Sequence, residues 1–382
     1  MSGILQGVRV VEAGQMLAGP YAGAILADLG AEVVKVERPQ GGDDSRNMGP
    51  AFRHGDALSF HIHNRGKRSV ALDLATPEGL AVLDRLLAGA DIMIHNLRPG
   101  VASRLGIDGP RLCVRHPSLI YCEISAFGHT GPMSSRPGFE PLIQAHSGLF
   151  DINGGPEDPP MRAGPSVCDQ GTGMWVVLGA LAMLHRRQQT GRGGVVNASL
   201  LETALAWCGQ RVDSLVNTGH PTARHRSGHP GLAPYEAFTA ADGPFMICAG
   251  NDRLFAKLAV VMERPDWISD TRFAANRARL LNKQALFDEM ASILAGRGRT
   301  EWIALLEAAG VPACPIHTLS EAQADPQVRA LGITMPVPGE DFTLTGLPLN
   351  FDGVRPRFAM GAPRLGEANG ELLASQATAL SP

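Results

Sequence analysis

The first forty residues leave this chain little choice of fold. Val8-Arg9-Val10-Val11-Glu12 is a short β-branched run, and Gly19 to Gly30 is built of small residues at helical spacing and closed by a glycine. Glu32-Val33-Val34-Lys35-Val36-Glu37 is a second strand. A connection this short, with a helix inside it, joins parallel strands by a right-handed crossover. The pattern then repeats. Ser69–Leu74 reads as extended, Thr76-Pro77-Glu78 opens a helix with a capping residue and a proline at the first position, and Asp91–His95 and Leu119–Ile124 read as strands. Elements alternating in this way predict an α/β fold, a Rossmann-like domain with a mostly parallel sheet and helices on both faces.

Past the middle of the chain the rhythm breaks. Gly219 to Gly231 is rich in Gly, His, Arg and Pro and reads as a linker. Pro234–Gly250 predicts a hairpin turning at Ala241-Asp242-Gly243, and helical spacing follows at Asn251–Met262, Leu281–Leu294 and Thr300–Gly310. The expected organisation is a large Rossmann-like domain over 1–218, a smaller α/β domain with its linker over 219–320, and a segment over 321–382 that returns to the large domain.

Charge narrows the partners. Lys and Arg number 34 against 37 Asp and Glu, so no basic field is available to grip nucleic acid, and an anionic ligand must be met by local arginines and backbone amides. No apolar run approaches the ~18 residues of a membrane-spanning helix. Met1-Ser2-Gly3-Ile4-Leu5 leads at once into strand pattern without a leader. The six cysteines are scattered with no CxxC pair and read as reduced core thiols. A cytoplasmic protein with no membrane partner is expected.

A parallel sheet invites a dinucleotide, but the first βα turn, Glu12 to Gly19, holds no GxGxxG. Phosphate-loop, nucleophile-elbow and HExxH motifs are missing too. His61-Ile62-His63 alternates as in a strand, which points the two rings to opposite faces, so no metal site is expected. What remains are polar stretches at strand ends, where open parallel sheets bind ligands: Glu37–Asp43, Asn64–Ser69 and Asn96–Gly106. Their arginines suit a phosphorylated ligand, or else are solvated loop charges. Asp169 precedes an apolar helix of about Gly173–Arg187 and fits its N-cap. A carboxylate there is expected to stay ionised, as a carboxylate nucleophile must.

In these stretches the chain resembles the class III CoA-transferases, the CaiB–BaiF family. The likeness runs in order through Val11-Glu12-Ala13-Gly14 with Ala18-Gly19-Pro20, Lys35–Asp43, Asn64–Ser69, Asn96-Leu97-Arg98-Pro99-Gly100 and Arg104-Leu105-Gly106. It continues through Gly128-His129-Thr130-Gly131-Pro132, Asp169 ahead of Gly171-Thr172-Gly173-Met174, Thr190-Gly191-Arg192-Gly193 and Leu365-Gly366-Glu367. The resemblance implies a large domain built from both ends of the chain, a small domain inserted between, and a homodimer of two interlocked chains. It implies no permanently bound cofactor, with coenzyme A as substrate and product. The wall for CoA maps onto Leu17, Ala18, Arg38 and Leu72, and onto Asn96, Leu97, Arg98 and Arg104. Asp169 matches the aspartate that becomes acylated, and Glu140, Gln170, Gly171 and His229 fall on the side of the acyl substrate. The glycines around Gln170–Gly173 are expected to offer backbone amides to the oxyanions of the reaction.

Two departures shape the expected activity. The racemase branch of the family uses a histidine base in a Gly-His-Asp segment, whose counterpart here is Gly138-Phe139-Glu140. Phenylalanine carries no proton, which favours a transferase over the alternative acyl-CoA racemase. A CoA-binding protein without turnover is the other alternative, and the retained Asp169 argues against it. The glycine-run loop of formyl-CoA transferases has no counterpart before Leu232. His229 to Tyr235 instead resembles transferases that use succinyl-CoA and dicarboxylic acids, with Arg224, His225 and Arg226 beside it as cations for an acid or as plain linker charge. The implied reaction moves CoA from a succinyl-CoA-like donor to a carboxylic acid through an aspartyl-CoA thioester.

Overall fold

The alternating pattern closes into a six-stranded parallel sheet in the computed structural model, which describes residues 3–221 and 223–374. The strands are β1 (Arg9–Glu12), β2 (Glu32–Glu37), β3 (Lys67–Ala71), β4 (Ile92–His95), β5 (Ile120–Ser125) and β6 (Gly194–Ser199). They lie in the order 3-2-1-4-5-6, and every neighbouring pair is parallel. The order reverses between β1 and β4, and in doubly wound sheets the ligand crevice opens at the carboxyl ends of strands beside such a reversal. Strand β3 starts at Lys67 rather than Ser69, because Lys67 and Arg68 pair with Val33 and Val34 of β2.

Helix α1 (Ala18–Asp28) joins β1 to β2 and is buried along nearly its whole length, which its Ala and Gly residues permit. Helix α2 (Leu58–Asn64) takes up the His61-Ile62-His63 stretch, so the strand reading there is overturned. Both rings are buried and occupied by backbone carbonyls, His61 Nε2 with Arg53 O at 3.0 Å and His63 Nδ1 with Ser59 O at 2.7 Å. Helix α3 (Pro77–Ala88) is capped by Thr76, whose hydroxyl accepts from Gly79 N at 3.1 Å, as predicted. Helix α4 (Glu140–His146) and helix α6 (Leu200–Trp207) flank α5 (Val167–Thr190).

Helix α5 begins six residues earlier than the apolar spacing suggested. On length and composition alone it is apolar enough to cross a membrane, which overturns the expectation that no segment would pass that test. Interleaved Gly, Thr and Gln hid this in a reading of apolar runs. One side of it packs on α1, where a Cβ on Gly173 would stand 2.8 Å from Ala18 O, while Met174, Trp175 and Leu178 are exposed. The cysteines are free but not all core thiols, with Cys122, Cys168 and Cys208 buried and Cys314 exposed.

The chain divides into two compact units. The first gathers Met1–Leu149, Arg162–Val212 and Gly332–Pro382; the second holds Phe150–Met161 and Asp213–Leu331. These limits differ from 218 and 320, and the second unit takes in a segment far upstream. Hydrogen bonds explain why: Arg226 N–H donates to Gly154 O at 2.8 Å, and the Arg224 guanidinium donates to Asp158 O. The second unit has its own antiparallel sheet of β7 (Tyr235–Ala240), β8 (Gly243–Cys248) and β9 (Ala313–Pro315). The hairpin turns at Ala241-Asp242 as predicted, over a core that includes Phe245, Phe255, Trp267, Phe273 and Trp302. In the first unit the returning segment packs Val337, Leu344 and Phe358 against Leu58 and Ile62 of α2. It also hydrogen-bonds β3, Asn369 Oδ1 accepting from Ala71 N at 2.8 Å. The parts of the expected leaderless start and return segment at Met1, Ser2 and 375–382 lie outside the described residues.

Candidate active site

Beneath the carboxyl ends of β1 and β2 lies a floor of buried charge. Lys35 Nζ is 3.3 Å from Glu12 Oε1 and 2.9 Å from Asp43 Oδ2, and Lys67 Nζ is 2.7 Å from Glu12 Oε2. Two carboxylates thus meet two ammonium groups, the condition under which buried charge is tolerated. Against burial, which raises it, Lys35 and the amides of Ser45 and Met16 hold Asp43 down at about 2. Burial pushes Lys67 down to about 8 against the pull of Glu12. Arg65 is buried as well, paired with Asp28 at 2.6 Å. The Asn64–Ser69 stretch therefore keeps Arg65 inside the protein, which removes it as a phosphate ligand, and Lys67 is buried with it.

Above this floor, four consecutive strand ends bring the expected CoA residues to one edge of the sheet. Leu17 is the N-cap of α1 and Ala18 its first, buried residue; Leu72 follows β3 and is buried in the core. Arg38, half-exposed after β2, donates to Gly42 O at 3.0 Å and to Asp44 Oδ1 at 2.5 Å. After β4, the Asn96 side chain is committed to the first βα turn, accepting from Gln15 N and donating to Gln15 O at 2.8 Å each. Leu97 N–H donates to His95 Nδ1 at 3.3 Å. Burial lowers His95 to about 4, so its ring stays neutral and serves as that acceptor. Arg98 and Arg104 are exposed, and among the described residues neither guanidinium has a partner. These two are the cations of this edge left free to meet an anionic ligand.

Asp169 is the third residue of α5, inside the first turn, and Ser166 holds the N-cap position. The cap reading is thereby corrected. The second amide of the helix, Cys168 N–H, donates to Glu140 Oε1 at 3.4 Å. Glu140 is buried at the start of α4 and also accepts from Gln144 Nε2 at 2.5 Å and from Arg162 Nη2 at 2.9 Å. Burial and the neighbouring Glu140 carboxylate, partly offset by Arg162, push Asp169 up to about 7. The expectation of a fully ionised carboxylate gives way to one poised near neutrality, because desolvation and a like charge outweigh the helix N-terminus.

The glycines after Asp169 do not supply oxyanion donors as expected. Gln170 N–H already donates to Ser166 O at 3.0 Å, and Gly171 and Gly173 lie within the helix. They serve packing instead: a Cβ on Gly171 would stand 2.5 Å from Trp207 Nε1. His229 lies in the second unit, its Nδ1 accepting from Gly231 N at 3.0 Å and its ring edge-on to Tyr235. Arg224, offered as a cation for an acid, is engaged with Asp158 O. Sequence reading missed Arg162 and Gln144 as partners of Glu140. The i, i+4 spacing of Glu140 and Gln144 on one helix was the available signal.

The chain as a whole has counterparts among known proteins. The family model described as CoA-transferase family III matches residues 5–369. Succinate–glutarate CoA-transferase of Agrobacterium fabrum is 36% identical over 98% of this chain and 96% of its own. Acetyl-CoA:oxalate CoA-transferase of Acetobacter aceti is 35% identical over 97% of this chain and 95% of its own. The crystal structure of a CAIB/BAIF family protein from Brucella suis aligns with a TM-score of 0.87 and 35% identity, covering 98% of this chain and 100% of that one. The chain belongs to CoA-transferase family III. It is an enzyme that moves coenzyme A between an acyl-CoA and a carboxylic acid.

Proposed function

We propose that Asp169 is the nucleophile of this transfer, with a succinyl-CoA-like donor and a small dicarboxylic acid as acceptor. The observation that carries the reading is the setting of Asp169: partly buried, in the first turn of α5, with the Glu140–Arg162 ion pair beside it, whose carboxylate raises and whose guanidinium lowers its affinity for a proton. The relatives named for succinate, glutarate and oxalate support the dicarboxylate class.

The chemistry follows from a carboxylate nucleophile. An Asp169 oxygen attacks the thioester carbonyl, the carbon–sulfur bond breaks, and CoA leaves as thiolate from a mixed anhydride. The thiolate then attacks the aspartyl carbonyl carbon, the anhydride carbon–oxygen bond breaks, and the donor acid departs as carboxylate. Asp169 now carries CoA as a thioester, and an acceptor carboxylate reverses the two steps. Arg98 and Arg104 are the groups we assign to the anionic end of CoA, where a guanidinium fork matches phosphate oxygens.

The experiment is intact-protein mass after incubation with succinyl-CoA, wild type against Asp169→Ala. A CoA-sized, hydroxylamine-labile adduct on the wild type and none on the variant is expected. No adduct with succinyl-CoA or a panel of other thioesters overturns the reading. We also infer a homodimer, supported by the exposed apolar side chains of Met174, Trp175, Leu178 and Trp207 on α5 and α6. Light scattering at micromolar concentration checks it, and a monomeric mass refutes it.

A further inference from the structure

The turn between β1 and α1 is held in an unusual way. Five successive main-chain groups, from Gly14 N–H to Met16 N–H, bond to side chains, one from Glu12 at the end of β1 and the others from Lys35, Asp43 and Asn96. Glu12 Oε1 accepts from Gly14 N at 2.8 Å, and Lys35 Nζ donates to Gly14 O at 3.0 Å. Asn96 takes both polar groups of Gln15. Asp43 Oδ1 accepts from Met16 N at 3.0 Å. At the last of these anchors the backbone is strained, for Met16 has φ +69°, a region that residues with side chains rarely occupy. Such strain persists only where the surroundings over-determine it, and it collects at working sites.

Asp43 is built as the fixed post for that conformation. It is 1% exposed. Its Oδ1 also accepts from Ser45 N at 2.9 Å, its Oδ2 faces Lys35 Nζ at 2.9 Å, and its own N–H donates to Glu37 Oε2 at 2.9 Å. Immediately after Met16 the chain enters α1, and the carbonyl of Ala18 lies where a Cβ on Gly173 would meet it at 2.8 Å. Gly173 is one helical turn beyond Asp169 on α5. Met16 thus stands immediately before the N-cap of the helix that packs on the helix of Asp169.

We propose that Asp43 is a positioning residue for CoA transfer, holding the first βα turn in its strained form so that Leu17 and Ala18 are presented beside the Asp169 helix. The inference rests on the reading of Asp169 as nucleophile for its location, but its test does not. The kcat for CoA transfer and the KM for succinyl-CoA are measured for wild type, Asp43→Ala, Asp43→Asn and the double variant Asp43→Ala with Met16→Gly, each with its thermal midpoint. Asp43→Ala is expected to lower kcat ten- to a hundredfold with KM within threefold. Asp43→Asn, which keeps an acceptor for Met16 N–H, recovers most of that loss. Met16→Gly in the Ala background recovers at least threefold, because glycine holds a positive φ without side-chain penalty.

Should Asp43→Ala fail to fold, Met16→Val decides, since a β-branched residue resists positive φ while the charge cluster stays whole. It is expected to show the same kcat loss. A kcat within twofold of wild type in the deciding variant overturns the proposal. So does a loss that tracks the thermal midpoint and that neither Asn nor Met16→Gly relieves. The adduct experiment on Asp169 fails or succeeds separately from both.

Discussion

Asp169 owes its poise to two side chains that sequence distance separates from it. Burial raises its pKa, Glu140 raises it further and Arg162 lowers it, and together they leave it at about 7. With Asp169 as the proposed nucleophile only its ionised form attacks, so adduct formation at saturating succinyl-CoA should rise with pH and reach half its maximum near 7. Glu140→Gln removes the like charge and should move that midpoint towards acid, while Arg162→Met removes the opposing charge and should move it towards base. Rapid-quench pH profiles of the three proteins check this, and one shared midpoint would refute the electrostatic account. The position of Asp169 near a helix start was legible in the chain. Its protonation was not, because Glu140 and Arg162 reach it through folding of separate segments onto α4 and α5.

Helix α5 illustrates how glycine serves packing one turn from Asp169. Alanine in place of glycine favours an isolated helix by about 1 kcal/mol. At Gly173, however, the added Cβ meets Ala18 O at 2.8 Å and Ala22 N at 3.3 Å, backbone atoms that no rotamer change can move aside. Overpacking of this kind costs ~1–3 kcal/mol, so Gly173→Ala should be net destabilising by up to about 2 kcal/mol. Urea unfolding at pH 7 measures it, and a stabilised variant would contradict the close approach of α1. Helix α2 teaches a complementary lesson. Over the seven residues Leu58–Asn64 a period of two and a period of 3.6 look alike, and the fold chose the helix, where Asn64 Nδ2 donates to Phe60 O at 3.0 Å.

The charge floor draws on three strands at once, Glu12 from β1, Lys35 from β2 and Lys67 from β3. Glu12→Gln would leave two buried ammonium groups with Asp43 as their nearest remaining carboxylate. Removing one partner of a buried pair costs ~3–5 kcal/mol, and a loss of that order is expected in chemical denaturation at pH 7. A change below about 1 kcal/mol would mean the cluster is solvated in solution. By itself the amino-acid order determined the parallel sheet, the βαβ sequence of elements, the hairpin at Ala241-Asp242 and the residues that mark the family. Those are properties of local periodicity and of motifs met in order. Only the tertiary structure decided which charges are structural and which are free. Arg65 looked as suited to a phosphate as Arg98 and Arg104, but the fold buries it against Asp28 and leaves the latter pair exposed at the open strand edge. Burial is set by what distant segments stack on a residue, and no local window of sequence contains that.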